Sequence, residues 1–236
     1  MSWESSALYY QLINQEAKRR LGGHHNAPSV MVTVDFHEVE RLQSGGEWER
    51  LAEMMAGAAR QAAAGGAEFL VLCTNTMHKV ADSITAAVRI PLLHIADATA
   101  EAIRRDGRTR AGLLGTRFTM EEDFYRERLR QRFGMEAVIP PPASRQLVHD
   151  VIYGELCHGV VRAESRERYR EIIAELGSRG AEGVILGCTE IGMLISPGDS
   201  PIPVYDSTVL HARAAVEMAL GSDPSHTPNS SACCGG

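Results

Sequence analysis

The sequence GAEFLVLCT at residues 66–74 returns, with few changes, as GAEGVILGCT at residues 180–189. In each copy a short apolar run ends in a cysteine followed by a threonine, and Cys188 lies 115 positions after Cys73. At the same offset, three aromatic residues near the start of the chain match three others: Trp3, Tyr9 and Tyr10 against Phe118, Phe124 and Tyr125. The repetition predicts two similar halves rather than a solenoid of many short repeats.

Short apolar runs alternate with longer amphipathic segments along the whole chain. The runs are typical of strands buried on both faces and cover residues 30–34, 69–72, 92–95, 111–114, 137–139, 184–186 and 203–205. The helical patterns cover residues 4–21, 47–64, 77–88, 98–105, 121–132, 146–156, 166–176 and 207–220. Thr119 and Glu122 have the spacing of a capping box. The alternation predicts an α/β fold with parallel sheets covered by helices.

The two predicted halves differ at their beginning. The strand at residues 111–115 precedes the aromatic segment of the second half, whereas the matching strand of the first half would lie before Met1. We therefore expect the first half to lack its opening strand and to leave backbone groups unpaired. The predicted organisation is residues 1–97 with 207–220 as the first half, 98–206 as the second half, and 221–236 as a disordered tail.

Composition excludes several classes of protein. The 236 residues carry a formal net charge of −6, so no basic surface indicates nucleic-acid binding. No run of 18 apolar residues indicates a membrane span, and the first residues lack the pattern of a signal peptide. The 5 cysteines are too few for a secreted disulfide scaffold of this length. We expect a cytoplasmic protein with free thiols.

The two repeated cysteines are the first candidates for chemistry. Each follows a predicted buried strand, and ligands of parallel α/β sheets bind beyond the carboxyl ends of the strands. The turns CTNT and CTE offer backbone N–H groups that can hold a carboxylate, and a helix start there would lower the thiol pKa. If the halves face each other, Cys73 and Cys188 could stand on opposite sides of one carbon. One would remove a proton and the other would deliver one, which inverts that carbon without a metal or a cofactor.

The other cysteines and histidines are better explained by packing than by chemistry. A zinc site is disfavoured because no CxxC or HxxxH spacing occurs. Cys157 lies in a helical pattern and is predicted to be a packing residue, and His94 a core histidine. His78 could orient the first cysteine or simply pack. Residues 35–43 are predicted to be a loop, whose polar side chains either line a cleft or face solvent.

Several segments resemble one known family, the aspartate/glutamate racemase superfamily. VLCTNTMHKVADSI and VILGCTEIG are similar to its two cysteine motifs. Four other segments more closely resemble its broad-specificity amino-acid racemase branch: MSWESSALYYQLIN, VDFHEVE, PLLHIADAT and LLGTRFTMEEDFY. The likeness covers the chain from Met1 to about Leu220.

The resemblance implies an architecture and an activity. The implied fold has two flavodoxin-like, parallel-sheet halves related by a pseudo-twofold axis, often in a homodimer, with the active site in the cleft between them. The implied activity is the interconversion of L- and D-amino acids by a two-base mechanism that uses no cofactor, with a free amino acid as the small-molecule partner. Neither a metal, a nucleic acid nor a membrane is an expected partner.

The resemblance also implies roles for individual residues. Cys73 and Cys188 match the acid/base pair of the family. Thr74, Asn75 and Thr76 match contacts to the substrate carboxylate, and Thr189 and Glu190 match a site for the carboxylate or the amino group. The remaining matches are to substrate-bordering positions: Met1 and Ser2 at the end of a loop, Thr116 at the equivalent place of the second half, and Gln43.

Two departures from the family pattern keep several functions open. The opening strand and the two glycines before Met1 are missing, which leaves room for a non-catalytic binder or an inactive truncated form. No Lys or Arg occupies the matching places in VDFHEVE and ELCHGVV, although Arg41 and Arg162 are near. An unpaired acidic side chain would be costly to desolvate, so neutral amino acids are favoured over aspartate or glutamate. The sequence is also compatible with a small-dicarboxylate isomerase and with a redox role for the thiols.

Overall fold

The computed structural model describes residues 1–221, and these form an α/β fold with two parallel sheets. The predicted tail at residues 221–236, with Cys233 and Cys234, falls almost wholly outside the described residues. The elements in chain order are α1 (Trp3–Leu21), α2 (Phe36–Ser44), α3 (Trp48–Ala64), β1 (Leu70–Val71), a 3-10 helix (Thr76–Val80), α4 (Ala81–Ala87), β2 (Leu92–Leu93), α5 (Ile95–Arg105), β3 (Arg110–Gly115), α6 (Arg117–Glu121), α7 (Asp123–Phe133), β4 (Glu136–Val138), α8 (Pro142–Gly154), a 3-10 helix (Leu156–His158), α9 (Ala163–Ser178), β5 (Val184–Gly187), α10 (Ile191–Leu194), a 3-10 helix (Pro197–Asp199), β6 (Val204–Asp206) and α11 (Ser207–Gly221).

The two sheets are of unequal size. The C-terminal sheet has four parallel strands in the order β4-β3-β5-β6, and the N-terminal sheet has only β1 and β2. The predicted α/β class with parallel strands is confirmed. The predicted domain boundary between residues 97 and 98 falls inside α5, and α11 packs against both α1 and α5. The exact division into halves therefore stays a prediction.

The predicted strand at residues 30–34 is wrong. In the C-terminal sheet, β3 lies between β4 and β5, whereas no described residue forms a strand on the side of β1 away from β2. The backbone of residues 30–34 has no strand to pair with and is irregular. Some of its apolar side chains are still buried: Val32 and Val34 pack against the core that includes Leu70, while Val30 and Met31 are exposed.

The loop predicted at residues 35–43 is wrong, because Phe36–Ser44 form helix α2. Asp35 caps it, since its carboxylate accepts a hydrogen bond from the His37 backbone N–H. The residues buried by α2 are Val39, Leu42 and Gln43, which have the spacing of one helix face. Phe36 also packs against this core, but the helix has only 9 residues, so its helical period extends over too few turns to be recognised in the sequence.

The predicted capping box of Thr119 and Glu122 is also wrong. Thr116 caps α6 and accepts the Thr119 N–H, while Glu122 precedes α7 and makes no side-chain cap. The helix predicted at residues 77–88 is split into a 3-10 helix and α4. Thr116, which directly follows β3, is therefore the residue that caps α6.

Two glycines allow β3 and β5 to approach closely beside Cys188. Gly115 and Gly187 are register partners, and a Cβ atom on Gly187 would lie 2.8 Å from the backbone oxygen of Leu114. We expect Gly187→Ala to lower the free energy of unfolding by about 1–3 kcal/mol, measured by urea denaturation, because a strand backbone cannot move aside cheaply. Gly154→Ala is the control, since a Cβ there meets nothing within 4 Å. Equal stability of both variants would contradict this view of the β3–β5 contact.

Candidate active site

A small, partly open cavity lies where the carboxyl ends of β3 and β5 meet the turn after β1 and the start of α1. Its volume is about 30 Å³, enough for one or two waters. Ten of the predicted site residues line it: Met1, Ser2, Gln43, Thr74, Asn75, Thr76, Thr116, Cys188, Thr189 and Glu190. An amino acid needs more room than this, so a ligand could enter only if the cleft widens.

Hydrogen bonds join the segments that surround this cavity. Thr76 Oγ1, after β1, lies 3.0 Å from Thr116 Oγ1, after β3. The Asn75 side-chain amide donates to Ser207 Oγ at 3.1 Å, at the start of α11. The polar groups at the strand ends are therefore already oriented toward one another.

Glu190 is the charged centre of the cavity. Ser2 Oγ and Ser5 Oγ donate to its Oε1 at 3.1 and 3.0 Å, and Thr189 Oγ1 and Cys188 Sγ donate to its Oε2 at 2.6 and 3.0 Å. Burial acts to raise the pKa of this carboxyl, but the bonds from Cys188 and Thr189 and the nearby Met1 ammonium outweigh it and lower the pKa. Glu190 is thus a buried carboxylate that holds Cys188 as a thiol.

The predicted lowering of the thiol pKa values is wrong. Burial raises the pKa of Cys73 to about 11, partly offset by the Met1 ammonium. Burial raises the pKa of Cys188 further, and the Glu190 carboxylate adds to the effect. The helices that follow the two cysteine turns have 5 and 4 residues, so their fields are too weak to overcome desolvation.

Cys73 lies beside the cavity rather than in its lining. Its thiol is 3.6 Å from the Val71 backbone oxygen, and its own backbone oxygen accepts the Met1 amino group at 2.6 Å. That amino group has a pKa lowered by burial, an effect opposed by the neighbouring Glu190, Cys73 and Cys188. The two predicted catalytic cysteines therefore both lie near the Met1 amino group.

Six further residues line the cavity and are not among the predicted site residues: Ser5, Phe36, Ile152, Tyr153, Cys157 and Gly187. Cys157 is predicted to be a packing residue, but the 3-10 helix that carries it also turns it toward the cavity. Ser5 has a detectable signal, because it lies three residues after Ser2 at a helix start. Tyr153 has none: its hydroxyl donates to Gln43 Oε1 at 3.2 Å, across 110 positions of sequence.

Three buried histidines pack behind the Cys73 turn. The ring centroids of His78 and His94 are 4.3 Å apart, and those of His78 and His211 are 6.0 Å apart. Burial lowers the pKa of His211 to about 4 and that of His94 to about 2, and it holds the pKa of His78 well below its usual range. All three are neutral near pH 7.

This cluster predicts acid sensitivity of the fold. Below about pH 6.5 the unfolded chain binds protons that the folded chain refuses, so the free energy of unfolding falls with pH by up to about 1.4 kcal/mol per pH unit for each histidine. The free energy of unfolding continues to fall until the pH passes below the pKa values of these histidines in the folded state. Urea denaturation at several values between pH 7 and pH 5 measures the slope. His211→Gln should reduce it by roughly one third, whereas a change at the exposed His37 should not, and a slope unaffected by His211→Gln would contradict the assignment.

Comparisons with known proteins agree with this architecture. The family model described as Asp/Glu/Hydantoin racemase matches residues 1–215. A crystal structure of a proposed Asp/Glu racemase from Yersinia pestis is 49% identical, with a TM-score of 0.87 over 93% of this chain and 95% of that one. An aspartate racemase homologue from Pyrococcus horikoshii OT3 is 32% identical, with a TM-score of 0.79 over 92% and 94%.

A curated relative is the broad specificity amino-acid racemase RacX of Bacillus subtilis (strain 168), which is 29% identical over 160 residues. The match covers 66% of this chain and 66% of that relative, so the chain spans just under two thirds of its length. In the part of the chain that is described, no helix is long and apolar enough to cross a membrane.

Proposed function

This chain belongs to the Asp/Glu/Hydantoin racemase family, a family of isomerases, and on that premise we propose that it racemises free amino acids with two cysteines and no cofactor. The observation that carries the proposal is the Cys188 thiol, which donates to the buried Glu190 carboxylate in a cavity bordered by the Cys73 turn. A thiol held beside a cavity of this kind is suited to deliver a proton to carbon.

The proposed reaction moves one proton off the α-carbon and another onto it. Cys73, as thiolate, takes the α-proton from one face, and the electron pair is delocalised into the substrate carboxylate. Cys188, as thiol, gives its proton to the opposite face and becomes thiolate. The reverse passage of protons converts the other enantiomer, so neither a net oxidation nor a cofactor is required.

Charge within the cavity supports this assignment of roles. Glu190 opposes a thiolate at Cys188, so this cysteine is the proton donor of the free enzyme. Cys73 has no carboxylate among the groups that raise its pKa, and the Met1 amino group, when protonated, lowers that pKa. A substrate ammonium bound against Glu190 would act in the same direction and increase the thiolate fraction at Cys73.

The cavity favours amino acids with uncharged side chains. Neither Lys nor Arg is among its lining residues. Nearby Arg41 is paired with Glu38 and Glu47 at 2.9 and 3.1 Å, and Lys79 is paired with Glu122 at 2.6 Å. A side-chain carboxylate would enter next to Glu190 with no Lys or Arg side chain in the cavity lining to pair with, and its desolvation would oppose binding.

Proton NMR in D₂O tests the proposal directly. The purified protein is incubated with L- and D-amino acids of neutral, acidic and basic type, and the α-proton signal and the final chirality are followed. We expect neutral amino acids to lose the α-proton signal and become racemic. Exchange confined to aspartate or glutamate would overturn the substrate class, and a folded protein that exchanges nothing in the panel would overturn the reaction.

A further inference from the structure

His78 lies directly behind the Cys73 turn, on the 3-10 helix Thr76–Val80. It is 2% exposed and is absent from the cavity lining, so it cannot touch a substrate bound there. Any influence on the reaction must therefore act through the turn that it supports.

Two hydrogen bonds determine the state of the imidazole. The Ile95 backbone N–H can only donate, so His78 Nε2 accepts it, at 3.2 Å. His78 Nδ1 then carries the proton and donates to the Thr74 backbone oxygen at 2.8 Å. The side chain thus connects the turn after β1 to the start of α5, which follows β2. A cationic imidazole could not make both bonds, because it has no acceptor.

The surroundings hold His78 in this neutral form. His94 and His211 face it, and Arg128 on α7 adds positive charge nearby. His94 is itself engaged, since its Nδ1 accepts the Ala96 N–H at the start of α5. His211 Nε2 lies 2.9 Å from the Leu93 backbone oxygen. His78 is the member of the cluster that is bonded to the cysteine turn.

The turn is held from two sides. On one side, His78 Nδ1 donates a hydrogen bond to the Thr74 backbone oxygen. On the other side, Ser207 Oγ at the start of α11 accepts a hydrogen bond from the Asn75 side chain at 3.1 Å. We propose that His78 is a positioning residue, which fixes the Cys73–Thr76 turn by bridging the Thr74 oxygen and the Ile95 N–H. This inference rests on the proposed function for its effect on activity, but the bridging itself can be measured independently of activity.

The experiment compares His78→Leu, His78→Gln and a control, His94→Asn. Leucine removes both hydrogen bonds, glutamine can keep one donor and one acceptor, and asparagine at position 94 keeps the cap on α5. Iodoacetamide alkylation, mapped by mass spectrometry, gives the ratio of Cys73 to Cys188 labelling in each protein. We expect His78→Leu to raise that ratio on the order of tenfold by freeing the turn. His78→Gln should have a labelling ratio much closer to that of the wild-type protein, and His94→Asn should leave the ratio near the wild-type value.

Activity adds a second readout that a merely structural role would not move. Misplacement of the turn should slow α-proton exchange from the enantiomer that uses Cys73 more than from its mirror image, by about tenfold or more. A folded His78→Leu protein with the wild-type labelling ratio would overturn the positioning role. If no amino acid exchanges with the wild-type protein, the proposed function fails, yet the labelling ratio still decides the role of His78.

A measurement on the wild-type protein covers the case in which His78→Leu does not fold. Nitrogen-15 NMR of the histidine rings at pH 7 should show His78 neutral, with the proton on Nδ1. A cationic ring, or a proton on Nε2, would overturn the bridging geometry and with it the proposal.

Discussion

Serine in place of Cys188 or of Cys73 is expected to abolish racemisation, with a loss of about 10²–10⁴-fold in kcat. A serine hydroxyl is far less acidic than a thiol, so it neither becomes a base nor gives up its proton at neutral pH. Since each thiol serves one face of the α-carbon, the loss of either one stops inversion. Chiral chromatography of the product after incubation with a single enantiomer measures the effect.

The single variants should also differ from each other in a way that identifies the faces. Each should retain some α-proton exchange with only one enantiomer, the one whose proton is removed by the remaining cysteine. Cys157→Ser is the matched control, because it removes a thiol from the same cavity that has no proposed proton to transfer. We expect its loss to stay below about tenfold. Normal racemisation by both single variants would refute the two-base reaction.

Replacement of Glu190 by glutamine is expected to cost both stability and substrate binding. Four donors converge on this carboxylate, from Ser2, Ser5, Thr189 and Cys188. Glutamine offers one acceptor oxygen and an NH₂ group that faces former donors, so the free energy of unfolding should fall by about 1–3 kcal/mol. The loss of the negative charge should raise KM by about tenfold or more, because a charge-assisted bond to the substrate ammonium disappears.

Although Glu190→Gln should weaken stability and binding, we expect it to make the Cys188 thiol more reactive. The Glu190 carboxylate raises the pKa of this thiol, so its removal should lower that pKa and speed iodoacetamide labelling of Cys188 near neutral pH. Urea denaturation, substrate kinetics and mapped labelling give the three readouts. Glu4→Gln is the control, since Glu4 is exposed at the start of α1 and should change stability by less than about 0.5 kcal/mol. Slower labelling of Cys188 in Glu190→Gln would contradict the assigned electrostatics.

The local predictions succeed where a pattern is long or repeated. The runs at residues 184–186 and 111–114 form β5 and β3, because a buried parallel strand needs an unbroken apolar stretch that is visible in one dimension. Residues 30–34 have the same kind of pattern but no neighbouring strand, and a strand exists only through its ladder. Helix α2 is the opposite case, a helix in a segment predicted to be a loop, because its 9 residues give too few turns for the helical period to be recognised.

The amino-acid sequence by itself determined the α/β class, the membership of the racemase family and the six cavity residues of its two cysteine motifs, and its resemblance to the family pointed to four more: Met1, Ser2, Gln43 and Thr116. Only the tertiary structure decided that Cys157 and Tyr153 reach the same cavity, that Glu190 holds Cys188 as a thiol, and that His78 supports the Cys73 turn. The reason is physical. Periodicity and motifs are encoded in neighbouring residues, whereas burial, pKa and hydrogen-bond partners depend on atoms brought together from distant parts of the chain.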